Sequence, residues 1–193
     1  PDLNPIVAIP TGSGKTMVMT EFIELCLEQD FNRPILVLSH VKEILQQNYD
    51  AIQEEFGELL VGIYSAGLGE RDIKKVTVAG IQSVYRKPDD FKKFGVVIID
   101  ECHLVNTRQS GMYRKFLSEI DAVYVGLTAT HFRTGHGYIH EGKEALFNRL
   151  VYDKCDIKGF NDLIERGYLS NLIAKGTEMK LDPSGVKITA GDY

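Results

Sequence analysis

The sequence is poor in cysteine. Cys26, Cys102 and Cys155 are its only three, an odd number without a C-x-x-C pair. That argues against a disulfide framework or a zinc site and suits reduced thiols in a cytosolic protein, packed as ordinary small buried or half-buried residues. Positive charge is also in deficit: 22 Lys and Arg stand against 27 Asp and Glu, a formal net charge of −5. Nonspecific phosphate binding draws on a basic surplus, so a nucleic-acid role has to rest on motifs rather than on composition. Long apolar runs are lacking as well. Pro34 to Leu38 and Val96 to Ile99 fall far short of the roughly 20 residues that cross a bilayer. No charged segment leading into an apolar run opens the chain as an export signal would. The expectation is a soluble, cytoplasmic protein with no membrane partner.

What is present suffices for one good core: 193 residues with 44% hydrophobic content. No internal repeat or low-complexity block interrupts the chain. Short β-rich apolar runs alternate with helical patterns, which is the signature of crossover units and a parallel sheet. Strands are expected at Pro5 to Ile9, Ile35 to Ser39, near Leu60 to Tyr64 and Lys75 to Ala79, at Gly95 to Asp100 and at about Ala122 to Leu127. A helix starting near Gly14 carries Val18, Phe22, Ile23, Leu25 and Cys26 at spacings that can face a sheet, and a second spans roughly Val41 to Phe56. Val96, Val97, Ile98 and Ile99 are continuous rather than alternating, as a central strand covered on both faces requires. Beyond Arg133, glycines at 135, 137 and 142 suggest a mobile loop, and Gly159 to Leu169 reads as a short helix plus turn. The division expected is a domain over 1–157 and a connector over 158–193.

Three segments carry chemistry. Pro10-Thr11-Gly12-Ser13-Gly14-Lys15-Thr16 lies between an expected strand and an expected helix. Gly12 and Gly14 let successive backbone N–H groups converge on phosphate oxygens at a positive helix terminus. Lys15 adds a mobile charge for the β- and γ-phosphates, and Thr16 offers its hydroxyl to magnesium. Ile9 stands where the full G-x-x-x-x-G-K-[ST] pattern has glycine. Asp100-Glu101-Cys102-His103 ends the buried strand. There Asp100 can hold magnesium through water and Glu101 can polarise the attacking water. Gly126-Leu127-Thr128-Ala129-Thr130 ends the next strand with two hydroxyl residues, Thr128 and Thr130, able to bond His103 and report the state of the γ-phosphate. Phosphoryl transfer asks mainly for positioning and charge stabilisation, and these residues supply both.

PTGSGKT, DECH and GLTAT in this order resemble motifs I, II and III of superfamily 2 helicases. SHVKEILQQ, from Ser39, resembles motif Ia, and VAGIQSV, from Val78, resembles the element before the acidic strand. YSAGLGE, GLTATHFRTGHGY and LIERGYL are similar to RadD-like helicases and to the motor subunits of type I and type III restriction enzymes. The resemblance implies a RecA-like P-loop NTPase fold, three layers of α/β/α around a mainly parallel sheet. It implies ATP and Mg2+ as cofactors, and a nucleic-acid partner, DNA rather than RNA. Ser39, His40, Lys42, Gly67, Gln82 and Ser83 would line a groove on the sugar-phosphate backbone, where the plainer reading makes them helix caps and solvated loop residues. It also implies a second RecA-like domain whose arginine fingers complete hydrolysis. A chain without that domain should bind nucleotide weakly and hydrolyse it slowly or not at all.

The sequence departs from the family at two places. His131 stands where relatives usually have proline, which should loosen the turn after the third motif. Only nine residues precede Pro10, so the glutamine element that reads adenine is not expected here, and preference for ATP rests on the likeness alone. His131, His136 and His140 lack flanking ligands at metal-binding spacing and read as a loop of exposed histidines. Three other functions compete with a helicase or translocase motor. One is the motor of a restriction enzyme. Another is a nucleotide-switched scaffold that does not translocate. The last is a small-molecule kinase, which leaves DECH and GLTAT unaccounted for.

Overall fold

A computed structural model describes residues 3–29, 32–105, 111–133, 137–142, 145–171 and 173. The strands are β1 (Pro5–Ala8), β2 (Ile35–Ser39), β3 (Val61–Ser65), β4 (Glu70–Arg71), β5 (Val76–Gly80), β6 (Val96–Asp100), β7 (Val123–Thr128), β8 (Phe132–Arg133), β9 (Gly137–Tyr138) and β10 (Arg149–Asp153). The helices are α1 (Lys15–Glu28), α2 (Lys42–Phe56), α3 (Ile81–Val84), α4 (Met112–Leu117) and α5 (Ile157–Glu165). Eight strands form one sheet in the order β10-β1-β7-β6-β2-β5-β3-β4, parallel except for the antiparallel β3–β4 pair. The expected α/β class and parallel sheet are therefore present.

The apolar runs of β2 and β6 are continuous because both of their faces are covered. Ile35, Val37, Val96 and Ile98 point into a core with Met19 and Ile23 of α1 and Leu45 and Ile52 of α2. Leu36, Leu38, Val97 and Ile99 point the other way, against Phe91, Phe94, Phe116 and Phe147. α1 meets the sheet on a narrower stripe than its sequence suggests. Met19 and Ile23 are buried, with Phe22 and Cys26 packed at the side, but Val18 and Leu25 are 39% and 52% exposed. At about 100° per residue, Leu25 lies too far round the helix from Ile23 to reach the same face.

The stretch after Arg133 departs from the expected loop. β8 and β9 pair antiparallel in a small second sheet, with Phe132 edge-on to Tyr138 and His131 stacked on Tyr138 at 5.4 Å. β10 then joins the main sheet beside β1, with Pro5 opposite Arg149 and Ala8 opposite Asp153. His131 and His140 are half-buried rather than exposed, because Tyr138 lies between them and Asp153 approaches the His131 Nε2 to 3.6 Å. His136 lies outside the described residues. All three cysteines are free, Cys102 buried and the other two half-buried. No helix among the described residues is long and apolar enough to cross a membrane.

Candidate functional site

The sheet brings the motifs together at one edge. β1, β7 and β6 are neighbours, and their register sets Ala8 beside Thr128 and Asp100 beside Leu127. The carboxyl ends of all three strands therefore open on the same side, where parallel sheets place ligands. Ile9 is buried, and its N–H donates to the Thr128 carbonyl at 2.9 Å. The position that lacks the pattern's glycine thus serves as a tie between two strand ends.

After Ile9 the chain turns through Gly12 (φ 81°) and Gly14 (φ 92°) into α1. Both values lie in the left-handed region that glycine enters without cost. Ser13 Oγ donates to the Pro10 carbonyl at 2.6 Å and closes the turn from inside. Lys15 and Thr16 begin α1, so their backbone N–H groups belong to the unsatisfied first turn that attracts anions.

The Lys15 Nζ donates to Glu101 Oε1 and lies 3.8 Å from Asp100 Oδ1. Both acids are shielded, with side chains 20% and 7% exposed. Glu101 has φ 50°, a left-handed value that among the described residues is otherwise found only at glycines, and a conformation that costs roughly 1–2 kcal/mol for a residue with a side chain. The Asp100 carboxylate compensates by accepting the Glu101 N–H at 2.9 Å, and the turn sends the Glu101 side chain to Lys15. Its carboxyl is held down at about 2, first by the hydrogen bond from His103 and then by Lys15, against the opposing pull of burial. His103 Nδ1 lies 3.2 Å from Glu101 Oε2 and 2.9 Å from Thr128 Oγ1, and the Thr128 hydroxyl also bonds the backbone of Thr130.

These residues fit a magnesium triphosphate. A glycine-built turn at a helix start, one ammonium and two adjacent shielded carboxylates converge from the ends of β1 and β6, with Thr16 beside them in the first turn of α1. Burying two acids together would be unfavourable without a cationic partner.

The other half of the same edge carries the second set. Ser39 ends β2, Gly80 ends β5 beside it, and Ser65 ends β3. Ser39, His40, Lys42, Gly67, Gln82 and Ser83 all line one hollow of about 260 Å³. Their hydrogen bonds tie its walls together. Lys42 Nζ donates to the Gly67 carbonyl at 2.8 Å, Gln82 Nε2 to the His40 carbonyl at 2.7 Å, and the Ala66 N–H to Ser83 Oγ at 2.9 Å. Ser39 is buried, and its hydroxyl is turned to the Val41 carbonyl, so it forms the floor rather than the rim.

Three further features of the site appear only in the fold. Arg133 donates to the carbonyls of His103 and Val105 and so fastens the strand after the third motif to the acidic turn. Leu163 and Tyr168 share an apolar hollow with Gly12, Ser13 and Gly14, which sets the segment after β10 against the phosphate loop. Asn48, inside α2, donates to Asp100. None of the three carries a spacing signal in the sequence.

The profile of the family described as "Type III restriction enzyme, res subunit" matches residues 3–133. No curated protein matches the chain significantly. Solved structures do. A crystal structure of the UvsW helicase from bacteriophage T4 superposes with TM-score 0.62 and 19% identity over 77% of this chain and 54% of its own. A second T4 UvsW structure gives 0.59 and 20% over 77% and 31%. The Hef helicase domain of Pyrococcus furiosus gives 0.55 and 20% over 69% and 31%. At these identities the likeness establishes the fold, and the chain spans 31% to 54% of the length of these solved structures.

Proposed function

Because the chain belongs to the type III restriction enzyme res-subunit family, we propose that it is the first RecA-like motor domain of a superfamily 2 helicase or translocase, and that it binds and hydrolyses ATP with magnesium while its groove holds a DNA strand by the backbone. The observation that carries this reading is the cluster of Lys15, Asp100 and Glu101 at the ends of β1 and β6.

Lys15 is held by Glu101 and is therefore already at the edge where phosphates would arrive. A triphosphate on the Gly12–Gly14 turn competes for that ammonium. As the ammonium swings to phosphate, Glu101 loses one of the two partners that depress its proton affinity and becomes the better acceptor for a proton from water. Thr16 and Asp100 would hold magnesium, which when bound supplies charge neutralisation along the triphosphate. His103 and Thr128 link the acid turn to the exit of β7, so a change at the phosphate is felt at Thr130. A second RecA-like domain would supply the remaining positive charge.

Restriction enzymes act on DNA, which favours DNA over RNA as the groove's occupant. The family match also favours a narrower reading, the motor of a restriction enzyme, which co-purification with a methyltransferase or nuclease would support.

The test is Mg-ATP binding and DNA-stimulated hydrolysis in the full-length protein. Lys15→Ala should abolish binding. Glu101→Gln, which releases Lys15 but removes the base, should keep or tighten binding and lower turnover at least about a hundredfold. Undiminished hydrolysis in either variant would overturn the proposal.

A further inference from the structure

The buried stripe of α2 is Leu45, Asn48 and Ile52. Two of these are the residues such a stripe calls for, and the third is an amide at 2% exposure. An amide buried there is unfavourable unless it is paired. Its partner is Asp100: Asn48 Nδ2 donates to Oδ2 at 2.8 Å. The other oxygen, Oδ1, accepts the Glu101 N–H at 2.9 Å and faces Lys15. Donors on two sides therefore fix the plane of this carboxylate, one from its own strand end and one from a helix beside the strand.

The same helix begins at the groove. Lys42, in its first turn, lies six residues before Asn48, about 9 Å along the axis. Its ammonium holds the Gly67 carbonyl, Gln82 holds the carbonyl of His40 just upstream, and the His40 ring stacks at 6.2 Å on Tyr113, itself buried. A phosphate backbone entering the hollow competes for Lys42 and Gln82, and so for the bonds that set where α2 begins.

We infer that Asn48 is a positioning residue for Asp100, and that through α2 it links occupation of the groove to affinity for the metal. The inference rests on the function proposed above, and its test separates the two. Mn2+ binding to the full-length protein with a non-hydrolysable ATP analogue is followed by electron paramagnetic resonance, with and without an oligothymidylate. In the wild type the oligonucleotide should tighten Mn2+ several-fold. Asn48→Leu should weaken Mn2+ about tenfold and flatten the response to the oligonucleotide, while analogue binding in excess chelator and oligonucleotide binding without nucleotide stay within about twofold. A merely structural role would move all of these together. If the leucine variant does not fold, Asn48→Ser, which shortens the reach without adding bulk, carries the same expectation. Wild-type Mn2+ affinity in a folded Asn48 variant, or a full oligonucleotide response, overturns the inference and leaves the proposed function standing. A wild type that binds no Mn2+ nucleotide overturns both.

Discussion

The hydroxyl of Thr128 fixes the tautomer of His103. Thr128 Oγ1 accepts the Thr130 N–H at 3.0 Å and turns its own hydrogen to the Thr130 carbonyl at 2.9 Å. It has no hydrogen left for His103 Nδ1, 2.9 Å away, so Nδ1 must carry the proton and donate. The same Nδ1–H faces Glu101 Oε2 at 3.2 Å, a forked bond that joins the acidic turn to the strand beside it.

Thr128→Val tests that joint. Valine fills the same volume at a fully buried position but leaves the Thr130 N–H and the His103 Nδ1–H without this acceptor. A loss of about 1–3 kcal/mol is expected in urea unfolding. Hydrolysis should fall while nucleotide binding holds, since the phosphate loop is untouched.

Glu101 gives the pH dependence. Its folded carboxyl sits near 2 against an ordinary 4.5, so the stability it contributes is present above pH 4.5 and is lost as pH falls toward 2. Carbon-detected NMR of Glu101 should show a midpoint near 2. In His103→Ala, which removes the largest cause of the shift, the midpoint should move up toward 4.5.

Gly126→Ala examines the packing beneath the site. A β-carbon there would lie 2.7 Å from Cys102 Sγ and 2.8 Å from the Phe147 ring, with all three positions buried between β7 and its cover. Overpacking of this kind costs about 1–3 kcal/mol, read as a lowered melting temperature. The damage should extend to the acidic turn that Cys102 follows.

Lys42→Ala addresses the groove. If its ammonium meets one phosphate of a single strand, the slope of log affinity against log salt should become shallower by about 0.7, equally for unrelated sequences. Equilibrium anisotropy titrations at several salt concentrations supply the measurement.

The sheet's centre was readable because burial on both faces leaves a plain record: Ile35 to Leu38 and Val96 to Ile99 are apolar without a break. The phosphate loop and DECH were readable because their chemistry constrains residue type at fixed spacing. β10 was not. Arg-Leu-Val-Tyr-Asp is mostly exposed at the sheet edge, so no alternation marks it, and its place depends on pairing with β1 more than 140 residues earlier. The His131–Tyr138 stack was hidden for another reason: the strands that carry it, Phe132–Arg133 and Gly137–Tyr138, are two residues each and too short to show an alternating pattern. Asn48 is legible only in space, since one amide within an amphipathic helix looks like any solvated position until Asp100 is seen opposite.

The pairing of β10 with β1 also bears on where this protein can be cut. Stopping at residue 133, where the match to the family profile ends, would strip β1 of its outer neighbour and bare the peptide groups of Pro5 to Ala8 along one side. An uncovered strand of that kind recruits strands from other molecules, so a chain shortened there should self-associate in light scattering, whereas one that retains residues through 157 should not.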